Sequence, residues 1–397
     1  MKPEILEQIE RRLVVEHSTQ FFSVFTNSFY DGMDNKKKPS STRVLNKTNN
    51  MMYMTFKEIL REHALRYLPA KSLYRYNAVC KDWKHLISTP FFEHTQSYFS
   101  CSLSGLFSQT PGGSITFVSL DPMSYGVPDP GLKFLPEPVD LVASSNGLLC
   151  CRGRTENKAY YICNPVNREW KKLPKPEADH GYKLALVLVF EPSLVKFEVE
   201  YKLICAFPSP DFHGAYEFEI YTSIDNSWNI STEICFGERT RILDRKGVHQ
   251  NGVAYWLTDD HFLIGYDLNK NRATLIPCYG SWLGSDILGG YYGKPCISRR
   301  QGPDIVVSFL SNVYGNTMQM SFEEKIWEKR RVALKSEWNV DGGSVLAIGG
   351  GVVVFHDGSR IVVYNLSTKE TKSLGSQSEY NSDCFYVPYV NSVVRLQ

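Results

Sequence analysis

Three stretches of this chain are built alike. "NGLLCCRGRTENKAYYICNPVNREWKKLP" begins at Asn146, "NGVAYWLTDDHFLIGYDLNKNRATLIP" at Asn251 and "GGVVVFHDGSRIVVYNLSTKETKSL" at Gly350. Each runs glycine, short apolar strand, polar turn, second strand, polar turn, then a basic or aromatic strand. The strand-to-turn junctions "YICNPVNREW", "IGYDLNKNRA" and "VVYNLSTKET" correspond. The glycines lie roughly one hundred residues apart, and related hairpins at 218–231 and 319–332 fall between them, so the unit is roughly fifty residues, near the ~40–50 of a four-stranded propeller blade. A unit that cannot bury its own apolar face must stack on copies of itself, and this repeat constrains the fold more than any other feature of the chain.

Within the units the period is two. "KFEVEYKLI", residues 196–204, alternates Phe197, Val199, Tyr201 and Leu203 with Lys196, Glu198, Glu200 and Lys202, the pattern of a strand with one wet face. Further strands are expected at 184–190, 216–222, 252–258, 304–310, 351–357 and 361–366. No long helical pattern interrupts them, so the sheets are antiparallel. The 13% of aromatic residues suit broad side chains wedged between blades. Residues 96–397 are expected to close into one β-propeller of six blades, five or seven remaining open; the chain is mainly β with a short all-α module in front.

Composition excludes several functions. The net charge of +2, with no cationic run longer than Lys36–Lys38, argues against a general nucleic-acid binder. The 10 cysteines include no C-x-x-C pair, and "MKPEILEQIERRLVVEH" carries charges where a secretory leader needs an apolar run. Reduced, mostly buried thiols in a cytoplasmic or nuclear protein follow. No apolar run reaches the ~20 residues that cross a bilayer. The glycines of "GGSVLAIGGG" are turn glycines between strands, and there is no P-loop, G-x-S-x-G or paired-histidine motif. His261 beside Asp259 and Asp260 falls in an expected turn, where acids are ordinary. No cofactor, metal or catalytic residue is expected.

Residues 1–50 read as a tail, partly disordered, with the polar stretch "DNKKKPSSTRVLNKTNN" at 34–50. Residues 51–95 form a helical island. "MTFKEILREHALRYL" places Phe56, Ile59, Leu60, Ala64 and Leu68 near one face, Pro69 ends that helix or starts the next, and a second helix is expected over 77–87, stopped by "STP" at 88–90.

"LPAKSLYRYNAVCKDWKHLISTPFF", residues 68–92, resembles the F-box, in the plant form that precedes an F-box-associated β-propeller. "SSNGLLCC" and "NPVNREWKKLP" are similar to the opening strand and first hallmark of that associated domain. The resemblance implies a substrate receptor of a Skp–cullin–F-box ubiquitin ligase. In that family the F-box docks on a Skp-type adaptor, which links it to a cullin, and the C-terminal domain holds the target. Carried over by position, the implied adaptor contacts are Phe56, Leu60, Leu65, Leu68, Pro69, Leu73, Val79 and Trp83, with Val79, Cys80 and Trp83 alternatively the module's own core. The chain departs from the pattern where Phe56-Lys57 replaces Leu-Pro and His63-Ala64-Leu65 replaces Glu-Ile-Leu. A non-ligase interaction scaffold with a diverged F-box is the alternative reading, and a small molecule in the propeller channel a third. Target-binding candidates, on loop position alone, are Phe212, Trp282, Tyr291 and Tyr292, which equally suit blade packing.

Overall fold

The computed structural model describes residues 64–100, 102–120, 127–181, 185–237, 241–278, 286–301, 304–311, 327–332, 344–358, 360–374 and 384–396. The expected tail at 1–50, the first half of the helical island with Phe56 and Leu60, and Trp282 lie outside these residues.

Six antiparallel sheets form a closed ring of blades. Blade two holds β3 (Val139–Ser145), β4 (Leu148–Gly153), β5 (Tyr160–Asn164) and β6 (Glu169–Lys172). Blade three holds β7 (Ala185–Phe190), β8 (Tyr201–Pro208), β9 (Ala215–Thr222) and β10 (Ser227–Phe236). Blade four runs from β11 (Ile242–Gln250) through β12 (Val253–Thr258) and β13 (Phe262–Asp267) to β14 (Arg272–Pro277). Blade five has β15 (Ile287–Tyr291), β16 (Lys294–Gln301), β17 (Asp304–Leu310) and β18 (Trp327–Val332). Blade six has β19 (Ser344–Gly349), β20 (Val352–His356), β21 (Ile361–Asn365) and β22 (Thr371–Leu374). Blade one joins the two ends of the described chain: β1 (Gly105–Gln109) and β2 (Ile115–Ser119) are completed by β23 (Phe385–Tyr389), with Gly105 opposite Tyr389.

The three sequence repeats start at the second strand of blades two, four and six, so their spacing is two blades. Asn146-Gly147 and Asn251-Gly252 are the two-residue turns into that strand; Asn146 and Gly147 both have positive φ, +43° and +96°, as a type I′ hairpin requires. The aligned Asn164, Asp267 and Asn365 end the third strand. Each turns its Oδ1 back to backbone N–H groups of the following turn: Val166, Asn269 and Lys270, and Ser367 and Thr368 respectively. An apolar cluster lies between each pair of neighbouring blades, and the large aromatics fill these wedges, as with Phe218, Trp256 and Tyr266 between blades three and four. Seven of the nine described cysteines are buried in them, without disulfides among the described residues.

One expected strand is half wrong. β8 begins at Tyr201, and residues 196–200, the best alternating stretch by sequence, leave the sheet. Ser193 Oγ accepts N–H bonds from Val195 and Lys196, turning the chain outward, and Phe197 packs edge-on against Phe91 at 5.4 Å, so tertiary contact overrides the alternation.

A second repeated device couples blades at their outer strands. Trp228 Nε1 on β10 donates to the Pro174 carbonyl just after β6, and Trp327 Nε1 on β18 to the Pro277 carbonyl ending β14, both at 2.9 Å. These are the prolines of "KKLP" and "TLIP". Trp228→Phe keeps an aromatic side chain but removes the donor and part of the buried indole, so urea unfolding is expected to show a loss of at least about 1–2 kcal/mol, whereas Trp170→Phe, at an exposed site on β6, stays within about 0.5 kcal/mol.

Candidate docking surfaces

In each four-stranded blade, the turns joining first to second and third to fourth strands lie on one rim, and the turn joining second to third on the other. The chain enters β1 from the first of these rims, and the helical module sits there.

The module begins with a 3-10 turn, Leu65–Tyr67. Pro69, fixed near φ −57°, precedes helix α1 (Ala70–Tyr76) as its cap residue. Helix α2 (Lys81–Ile87) starts at Cys80, whose Sγ accepts the Trp83 N–H at 3.4 Å. The stop expected at "STP" is also a start: Thr89 Oγ1 accepts the Phe92 N–H, Pro90 takes the first helical position, and helix α3 (Pro90–Phe99) follows. Sequence reasoning missed α3. Its signal was the Thr-Pro cap, and its inward face is polar, so no apolar period marks it.

That polar face rests on the propeller: Glu93, His94, Thr95, Gln96 and Ser97 are all buried. Ser97 Oγ donates to the Asn146 carbonyl at 3.3 Å. Gln96 donates to the Leu68 carbonyl (3.4 Å) and accepts the Val393 N–H (3.3 Å). Tyr74 Oη donates to Asn167 Oδ1.

Between module and propeller runs the segment after β23. Asn164 Nδ2 donates to the carbonyls of Ser392 (3.0 Å) and Val394 (2.6 Å), and Asn167 Nδ2 to those of Val393 (3.2 Å) and Val394 (2.7 Å). Glu169 Oε2 accepts the Leu396 N–H, Arg395 Nε pairs with Glu93 Oε1 at 3.1 Å, and the buried Tyr389 hydroxyl donates to the Gly147 carbonyl. A Cβ on Gly147 would stand 2.1 Å from Ser392 Cβ, so this glycine serves both the turn and the close approach of the segment. The "NPVNRE" motif therefore makes a turn and also clamps residues 392–396.

The implied adaptor residues fall largely inside. Leu65, Leu68, Leu73 and Trp83 are buried with Ile87 and Phe92 in one cluster shared with Val166, Tyr389 and Val393 of the propeller. Val79 and Cys80 pack partly buried against it, and Pro69 is half-buried. Ala64 is fully buried too, so an isoleucine there would crowd an interior rather than extend a docking surface.

The target candidates do not share a rim. Phe212, in the β8–β9 turn, lies on the rim away from the helices, stacked edge-on with exposed Phe236 at 5.6 Å. Tyr291 and Tyr292, at the β15–β16 turn, lie on the helical rim. Tyr291 packs on Phe309 with the Arg330 guanidinium against both rings, while Tyr292 is exposed. Tyr291 is thus a packing residue within blade five, and Phe212 and Tyr292 are the ones with open surface.

One buried polar cluster resembles a relay. His180 Nε2 meets Glu219 Oε2 at 2.7 Å and His180 Nδ1 meets the Tyr160 hydroxyl at 2.9 Å. Glu219 also accepts the N–H groups of Glu177 and Ala178, and His180 packs edge-on to Trp228. Both members of the pair are sealed from solvent, and burial pushes the nearby Cys205 thiol and Tyr160 hydroxyl far up, keeping them protonated. The cluster pins the segment from β6 to β7 onto blade three. Asp259 and Arg241 exchange backbone and side-chain bonds across the foot of blade four, and Asp260 accepts from Thr258, ordinary turn wiring. Among the described residues no group of three His, Cys, Asp or Glu side chains could hold a metal, and no helix is long and apolar enough to cross a membrane.

Two titratable groups lie in the helix–propeller interface. Burial lowers His94 below its ordinary 6.5, with Phe197 opposing. Burial raises Glu93 from 4.5 to about 7 against the pull of Arg395, with Glu169 adding to the rise. Docking stability from His94 is full above 6.5 and lost as pH falls through its lowered value; that from Glu93 is full below 4.5 and lost as pH rises through about 7. The two trends oppose each other, so His94→Phe should leave hydrogen-exchange protection of α3 falling more steeply as pH rises from 4.5 through about 7, and Glu93→Gln should leave it rising as pH increases toward 6.5.

Comparison with known proteins fits this geometry. Residues 131–281, which span blades two to four, match the family model described as the F-box associated beta propeller domain. An F-box protein of Arabidopsis thaliana is 30% identical over 206 residues, covering 48% of this chain and 55% of the relative. A second from the same plant is 28% identical over 237 residues, 54% of each chain. A putative F-box/kelch-repeat protein of Arabidopsis thaliana is 26% identical over 239 residues, 53% of this chain and 56% of the relative. The chain thus matches about half the length of each of these relatives. With its helical module, its clamped hallmark motif and its six blades, the chain is similar to plant F-box proteins, and its residues 131–281 match the F-box-associated β-propeller family.

Proposed function

We propose that this protein is the substrate receptor of a Skp–cullin–F-box ubiquitin ligase: the helical module recruits a Skp-type adaptor and through it a cullin, and the propeller holds the target protein. The observation that carries the reading is the clamped seating of the F-box-like module on one rim. It holds adaptor and target at a fixed distance, which ubiquitin transfer to a bound target requires. The open rim with Phe212 and Phe236 suits a target, since exposed, mutually packed aromatics lose little entropy on binding. On this reading the chain contributes position rather than chemistry, as its family generally does, and works in the cytoplasm or nucleus. Pro69 and Val79, which keep some surface, and Phe56 and Leu60 upstream remain the proposed adaptor contacts.

A second reading, a propeller scaffold that recruits no ligase, is favoured by one observation: Leu65, Leu68, Leu73 and Trp83 are committed to the interior. Affinity purification of the full chain from plant cells with the proteasome inhibited separates the two. The receptor reading expects adaptor and cullin together with a target that accumulates ubiquitin. Recovery of partners without adaptor or cullin, under low salt as well, selects the scaffold.

A further inference from the structure

The inward side of the helical module is closed against the propeller, so any partner of the module meets its outward side. That side is not a featureless polar surface. Tyr67, at the end of the 3-10 turn, and Tyr98 and Phe99, at the end of α3, are 44%, 46% and 38% exposed. Their rings form one cluster: Phe99 lies 5.2 Å from Tyr67 and 5.2 Å from Tyr98, and the Arg66 guanidinium sits 5.7 Å from the Phe99 ring centre. The buried core of the module is assembled without these rings. They are held by backbone already fixed, with Leu68 N–H bonded to the Leu65 carbonyl and Ser100 N–H to that of Gln96. An exposed aromatic cluster fixed in advance is the arrangement that anchors protein partners at low entropic cost.

The charge of the described module narrows the partner. The described module carries Arg66, Lys71, Arg75, Lys81 and Lys84 against Asp82, since Glu93 is turned inward to Arg395. Arg75, Lys81 and Lys84 are exposed. The cluster also stands where the chain enters the described module, directly after residues 56–63, which the F-box resemblance assigns to docking.

We infer that Tyr67, Tyr98 and Phe99 form the apolar anchor on which the adaptor docks, and that the adaptor's matching surface is apolar at its centre and rimmed by carboxylates. This rests on the receptor reading above. It adds an anchor in the last turn of α3, outside the motif by which the module was recognised, and it assigns the cationic side of α1 and α2 to the same contact.

The test titrates the purified full chain with a purified Skp-type adaptor at ~50 and ~300 mM salt. Two variants are compared with wild type, Tyr67→Ser/Tyr98→Ser and Lys81→Glu/Lys84→Glu. All four sites are exposed, so thermal melting of both should match wild type, and either variant alone keeps the test decisive if the other misfolds. The aromatic variant is expected to bind at least about tenfold more weakly at both salt levels. The charge variant is expected to bind at least about threefold more weakly at low salt and to approach wild type at high salt. If wild type binds and both variants bind as well, this inference falls and the receptor reading stands. If wild type binds no adaptor, the receptor reading falls and the inference with it. Two other results also overturn the assignment. One is a wild-type dimer that the aromatic variant dissociates while adaptor binding is unchanged, which gives the cluster to a second copy. The other is a gain in adaptor affinity on removing residues 1–50 that the aromatic variant reproduces, which gives it to the chain's own leading segment.

Discussion

The structure depends on where the last strand goes. β23 is the innermost strand of blade one, pairing with β1 over five residues from Gly105–Tyr389 to Gln109–Phe385. A ring of stacked sheets has two raw edges until such a strand joins them, and hydrogen bonds across that seam are what make the blades one cooperative unit. The five residues after Asn391 carry the closure further. They pass between propeller and helices, bonded below to Asn164, Asn167 and Glu169 and above to Gln96 and Glu93. The strand that closes the ring therefore runs directly into the segment that seats the helical module.

This explains why one short motif does so much. In blades four and six the Asp267 and Asn365 turns satisfy local backbone groups. In blade two the same element, Asn164 to Glu169, satisfies its own turn through Oδ1 and holds the final segment through its amide nitrogens and Glu169. Gly147 opens room for that segment in a turn it already needed. On the proposed receptor reading such rigidity suits the task, because a hinge between module and propeller would let a bound target wander from the ubiquitin donor.

Much of the fold was legible because the blade repeat is local. Its turn residues and strand lengths recur in the sequence, so the propeller followed from spacing, with six blades favoured and five or seven left open for the structure to decide. What was not legible is non-local. Nothing in residues 196–200 says that α3 pulls Phe197 out of the strand. The polar run Glu93–Ser97 looks like a solvated stretch and is an interface. The F-box resemblance assigns Leu65, Leu68 and Leu73 to docking, and their burial against the propeller is a tertiary contact that no local pattern records. The aromatic pairs Tyr67–Phe99 and Phe212–Phe236 each join residues too far apart in sequence for any local pattern to unite them.

The central claim is that the segment after β23 fixes the helical module to the propeller. Removing residues 391–397 leaves β23 and every blade strand in place, and hydrogen exchange can then be followed separately in residues 64–99 and in the blades. The account predicts that protection is lost throughout 64–99 while blades three to six keep theirs. Full protection of residues 64–99 in the shortened chain would contradict it.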